Sequence, residues 1–234
     1  MLAFKFCSFG AIKVLGLAGL FISSLFISNL CQASVAGLQV QVNDANTGLP
    51  LEDVVVSVYL QTSGKPQNPV DTPAVISQVD QQFDPQLLVI PTGSAVSFPN
   101  RDHTRHHVYS FSNAKTFEIR LYYGLPAEPI VFDKPGPVVL GCNIHDQMRA
   151  VIYVTDADNW QRTDISGRAV LDIPQHAPVT LEFWHPRLRG DAVTQVLEGR
   201  IAEPMTVSLD IRPALPQFRT PESGLQQRFD QLAK

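Results

Sequence analysis

Cysteine is scarce: the chain has three in 234 residues, at Cys7, Cys31 and Cys142. The first two fall in a stretch that reads as a leader. One thiol then remains for the folded part, which excludes an internal disulfide there. Charge is also sparse. Asp, Glu, Lys and Arg together make up 17% of the residues, and the formal net charge is -4. That balance carries no nucleic-acid footprint. Acidic residues are absent from positions 1–33, where Lys5 and Lys13 precede the apolar run LGLAGLFISSLFISNL and small residues follow at Ala33 and Ala36. This pattern reads as a secretory signal peptide, with cleavage expected after Ala33 and a periplasmic destination. A retained membrane anchor is the alternative; once the segment is removed, no stable membrane insertion is expected. Leu30 is too large for the lipobox position before Cys31, so lipid attachment is not expected.

Proline (18) and glycine (14) are frequent and punctuate short β-branched runs. Residues 37–61 alternate in the β manner around an Asn43-to-Gly48 turn, with a second strand over 54–60. Residues 62–73, TSGKPQNPVDTP, read as a linker or long loop that completes an N-terminal segment, 37–73. A central part, 74–155, is expected to hold strands at 75–79, 86–90, 94–98, 106–111, 115–123 and 125–132. A ligand-bearing strand follows the Asp133-to-Gly136 turn, and 151–154 closes the sheet. Segment 156–214 adds strands at 169–173, 179–184 and 205–211. In the tail, 215–234, Leu225, Phe229 and Leu232 fall at the spacing of one short amphipathic helix. The whole predicts an all-β protein, an antiparallel sandwich or Greek-key barrel, in which distant strands lie side by side.

The informative stretch is VVLGCNIHDQMRAVIYV, residues 138–154. It places Cys142, His145 and Met148 at Cys-x2-His-x2-Met spacing. A thiolate, an imidazole and a thioether form a soft ligand set, and an electron-transfer copper site takes two His and one Cys with a long axial Met. An unpaired thiol is a liability in an oxidising compartment, and metal ligation is a reason to keep one; a buried inert Cys is the bland alternative. The second His must come from elsewhere, and RDHTRHHVYSF, residues 101–111, offers His103, His106 and His107. Alternation puts His106 on the face of Val108 and Ser110, so His106 points inward if Val108 does. His107 then reads as solvated or as a support for the site, His103 as part of a polar turn, and His185 as structural or exposed.

These residues resemble the cupredoxin family. The ligand loop is similar to that of amicyanin, where Cys, His and Met are also each separated by two residues. The wider pattern, GSAVSFPNRD, HHVYSFS, FDKPG and LGCNIHDQM, resembles periplasmic cupredoxin-like proteins often labelled methylamine utilisation proteins. The resemblance implies a cupredoxin-like Greek-key β-sandwich over 74–155. It implies one type-1 copper held by His106, Cys142, His145 and Met148, and a single-electron carrier rather than an enzyme, serving an unnamed redox protein partner. Leu140 stands where many cupredoxins have an aromatic residue, so an electron path through that side chain is not implied. The flanking segments resemble carboxypeptidase-regulatory-like (Ig-like) sandwiches, and 156–214 is expected to pair with 37–61. Two other functional classes stand beside the electron carrier: a copper carrier or store using the same ligands, and a non-metal structural or carbohydrate-binding sandwich. Zinc also fits a Cys-His-His site in vitro.

Overall fold

Short runs of Val, Ile, Leu and Phe, cut by Pro and Gly, form strands and no helix among the described residues. The computed structural model describes residues 35–61, 72–126, 128–174, 178–197 and 204–214. The expected leader, most of the 62–73 linker and the expected tail helix lie outside them. In chain order the strands are β1 (Val35–Asp44), β2 (Val55–Leu60), β3 (Ala74–Val75), β4 (Ser77–Val79), β5 (Gln82–Asp84), β6 (Leu87–Pro91), β7 (Ser94–Ser97), β8 (His106–Ser112) and β9 (Lys115–Tyr122). They continue with β10 (Ile130–Phe132), β11 (Gly136–Gly141), β12 (Arg149–Thr155), β13 (Asn159–Arg162), β14 (Arg168–Pro174), β15 (Val179–Trp184), β16 (Val193–Leu197) and β17 (Met205–Leu209). The strand expected over 125–132 shrinks to β10. Pro126 and Pro129 have no N–H to give a ladder, and Gly124 makes only an isolated bridge to Asn100.

The strands build two cores. In one, the sheet β14-β1-β17 and the sheet β13-β2-β15-β16 enclose Leu38, Val40, Val56, Leu171, Leu181 and Phe183. The chain therefore pairs its first two strands with its last five. Everything from β3 to β12 is inserted between them. There the sheet β6-β12-β11-β8-β9 lies over β10-β7-β3, and Phe83, Phe98, Val108, Phe132, Leu140 and Ile152 fill the space between. The all-β class expected from the strand pattern is what the described residues form.

Alternation decides what β8 and β11 present to this core. Val108 and Ser110 are buried on β8, whereas Phe111 is 79% exposed. On β11, Val138 and Leu140 are buried and Val139 is exposed. The outer face of β12 is covered as well. Tyr153 stacks on Trp184 at 4.3 Å, among Val55 and Leu87, and its hydroxyl donates to Glu182 Oε1 at 2.8 Å. His185, just beyond β15, is buried, and its Nδ1 accepts the Arg187 N–H at 3.1 Å. This is the structural one of the two roles read for it.

Two stability outcomes follow from these positions. Phe98→Ala, at a fully buried ring, is expected to cost about 3–5 kcal/mol. Phe111→Ala should stay within about 0.5 kcal/mol; urea denaturation of both variants checks the pair. Burial, helped by the Arg187 charge, pushes the His185 imidazole down to about 4 from 6.5. Above pH 6.5 both folded and unfolded forms are neutral there. Between 6.5 and 4 only the unfolded chain takes up the proton, so folding stability falls as pH drops through that window. The urea midpoint of His185→Gln should fall less steeply than that of the parent between pH 7 and pH 4.

Candidate metal centre

Three neighbouring strands bring the predicted residues together. His106 opens β8, Cys142 follows β11, and Met148 immediately precedes β12. His145 lies in the connection between β11 and β12, where its carbonyl accepts the Met148 N–H at 2.9 Å. One ring nitrogen from each of His106 and His145 and the Cys142 Sγ all lie within 4.8 Å of one another. The two imidazole centroids are 5.0 Å apart. His106, Cys142 and Met148 are buried and His145 is half-buried. Met148 packs in the same apolar cluster as Cys142.

The hydrogen bonds distinguish the nitrogens. His106 Nε2 and Asp102 Oδ2 are hydrogen-bonded at 2.7 Å. His106 Nδ1 and His145 Nδ1 are buried and have no hydrogen-bond partner. A buried polar atom left so costs about 1–3 kcal/mol. Two such lone pairs beside a free buried thiol are a donor set that fits a soft or borderline metal ion. Burial, with His106 adding to it, lowers the His145 imidazole below its usual value, against the opposing pull of Asp102. The neutral ring, the form that ligates, is thereby favoured.

His107 is placed otherwise than as a solvated side chain. It is only 7% exposed, and its Nε2 bonds Glu118 Oε1 at 2.9 Å. The cause is a register shift in the pairing of β8 with β9 between His106 and Val108, which tucks His107 against the sheet beside Tyr109. It is not among the clustered donors. His103 is exposed in its turn, with its carbonyl accepting the Tyr123 hydroxyl.

Around these donors lies a support that the ligand spacing does not reveal. Asn100 Nδ2 donates to the Thr104 carbonyl at 2.9 Å and the Tyr122 carbonyl at 2.8 Å, while its Oδ1 accepts the Asp102 N–H at 3.0 Å. Gln78 Nε2 donates to the Tyr122 hydroxyl, which in turn donates to the Phe98 carbonyl. Burial pushes the Tyr122 hydroxyl up to about 12; the Gln78 bond opposes this and the nearby Cys142 adds to it. The phenol therefore stays protonated and keeps donating. Asp102 is partly buried, which would raise its carboxyl. Bonds from the Gln81 N–H, His106 and the Asp80 N–H outweigh that and hold it below the usual value. The pairing of the Asp80-Gln81 turn with a carboxylate some twenty residues on leaves no mark in the sequence, because no periodicity links them.

No family model and no curated protein matches this chain. Among solved structures, it is similar to a copper-containing nitrite reductase from Thermus scotoductus SA-01, at 27% identity over 38% of this chain with a TM-score of 0.34. It spans only 25% of that enzyme's length. A purple cupredoxin from Nitrosopumilus maritimus is 22% identical over 35% of this chain and 99% of its own, with a TM-score of 0.31. A reduced mutant of amicyanin is 18% identical over 42% of this chain and 99% of its own, with a TM-score of 0.34. For these three structures the likeness is to a part of the chain, never to more than 42% of it.

Proposed function

We propose that this chain is a secreted, periplasmic type-1 copper protein that carries single electrons and catalyses no bond chemistry. His106 and His145 supply nitrogen, Cys142 the thiolate and Met148 a weak axial thioether. The observation that carries this reading is the convergence of two imidazoles and the thiol within 4.8 Å, with both Nδ1 atoms buried and unpartnered. Copper bound there would supply a one-electron couple.

The chain's own residues account for the rest. Cys142 and Met148 are flanked by β11 and β12, which pair residue for residue from Gly136↔Val154 to Gly141↔Arg149. Held so, the donors have little freedom to rearrange between oxidation states. Burial of His106, Cys142 and Met148 keeps water from the thiolate. His145 is the least buried of the four and lies where a redox protein partner would approach. With four protein donors the centre offers no open position for a substrate, which is why electron carriage is favoured over an oxidase or reductase role.

The deciding experiment is the visible and EPR spectrum of the protein loaded with one equivalent of Cu(II). An intense charge-transfer band in the red with narrow copper hyperfine splitting supports the reading. An ordinary weak blue Cu(II) spectrum, or Cu(I) released readily to a chelator, makes it a copper carrier instead. Cys142→Ser should remove the band while the fold survives, as judged by far-UV circular dichroism. His106→Ala should also remove it, whereas His107→Ala should leave it nearly unchanged. The reverse order for the two histidines would place the ligand on the other face of β8.

A further inference from the structure

One carboxylate stands behind the donor set. Asp102 lies four residues before His106 and is held from three sides. Its Oδ1 accepts the Asp80 N–H at 2.7 Å, and its Oδ2 accepts the Gln81 N–H at 2.9 Å and lies 2.7 Å from His106 Nε2. Asp80 and Gln81 form the two-residue turn between β4 and β5, and both have positive φ, 52° and 58°. Two successive left-handed residues make a type I′ hairpin turn, and here that turn aims both its N–H groups at one carboxylate. Asn100 fixes the same segment through the Asp102 N–H. The His106 end of the arrangement is fully buried and the carboxylate only 13% exposed, so water competes little for the bond.

An ionised carboxylate can only accept. Bonded to His106 Nε2, it requires the ring proton to sit there and leaves the lone pair on Nδ1, the nitrogen without a partner. Ligating imidazoles are commonly fixed in this way by an outer hydrogen bond, which also raises their basicity. We propose that Asp102 is the positioning residue of the centre. Clamped by the Asp80–Gln81 turn, it fixes His106 as the Nε2–H tautomer with Nδ1 free to ligate, and its charge stabilises the oxidised over the reduced metal. The second half rests on the copper reading; the first does not.

The test separates the two. In the metal-free, full-length protein, nitrogen NMR of His106 should show the proton on Nε2. Asp102→Ala should release the ring to a mixture of tautomers. Asp102→Asn removes the charge and the Asp80 N–H bond, since its NH2 cannot accept, but its oxygen still serves the Gln81 N–H and His106, so the tautomer should persist. The copper midpoint potential should rise, by about 59 mV for each tenfold loss of preference for Cu(II), and Cu(II) affinity should fall about 10- to 100-fold. Asp133→Asn removes an equal charge at an exposed carboxylate paired with Lys115 and should leave both unchanged. A metal-free His106 protonated on Nδ1 overturns the positioning role. An Asp102→Asn potential equal to that of Asp133→Asn overturns the charge role. If the parent binds no copper, the copper reading and the charge role fall together, while the tautomer still decides whether Asp102 positions the ring.

Discussion

Two buried imidazole nitrogens with nothing to bond to, beside a free thiol, set the terms for the inserted sandwich. Proteins rarely leave buried polar atoms unpaired, and each exception calls for a cause. Here His106 Nδ1 and His145 Nδ1 are left open, as are Gln78 Oε1 and His107 Nδ1 nearby, but only His106 and His145 cluster with the thiol. Asp102 occupies His106 Nε2, Asn100 closes the loop leading to β8, and Tyr122 and Gln78 close on the Phe98 carbonyl. Apolar residues on the same face, Val108, Leu140 and Met148, leave little water to substitute for a ligand. A metal ion held there would take one ring nitrogen from each histidine together with the thiolate.

The spacing of the donors is then a property of the ladder. β8, β11 and β12 are adjacent in one sheet, and adjacent strands lie about 4.7–4.9 Å apart. Residues at their neighbouring ends are brought close without any long side-chain reach. Gly141 serves the same geometry. A Cβ there would sit 2.7 Å from the Tyr109 ring, so the absence of a side chain lets Tyr109, its pairing partner on β8, lie over the strand just before Cys142.

Much of this was legible in the sequence, and the reasons differ by element. Strict alternation in β11 and most of β8 located the inward side of the sheet, so Val138, Leu140, Cys142 and Val108 are buried as their phase implies. Cys142, His145 and Met148 lie in one short connection, so their proximity could be read from spacing alone. His107 could not be placed in that way. A register shift breaks the alternation at its position, and burial against Glu118 depends on a neighbouring strand. Asp102 was equally opaque, since it bonds its turn partners through their backbone N–H groups, which leave no mark on residue identity. The strand expected over 125–132 failed because its apolar content was weighed without the two prolines inside it.

The run Val151-Ile152-Tyr153-Val154 carries a different message. It is apolar without alternation, the pattern of a strand covered on both faces. Ile152 and Val154 face the core that holds Cys142 and Met148. Val151 and Tyr153 face Val55, Trp160 and Trp184 of the outer sandwich. β8 lacks this second cover, and Phe111 on its outer face stands in solvent. The outer sandwich therefore packs against the strand next to the cysteine strand and leaves the histidine strand open on that side. Its contribution to the centre is mechanical. By packing behind β12, it limits how far β11 and the Cys142-to-Met148 connection can shift.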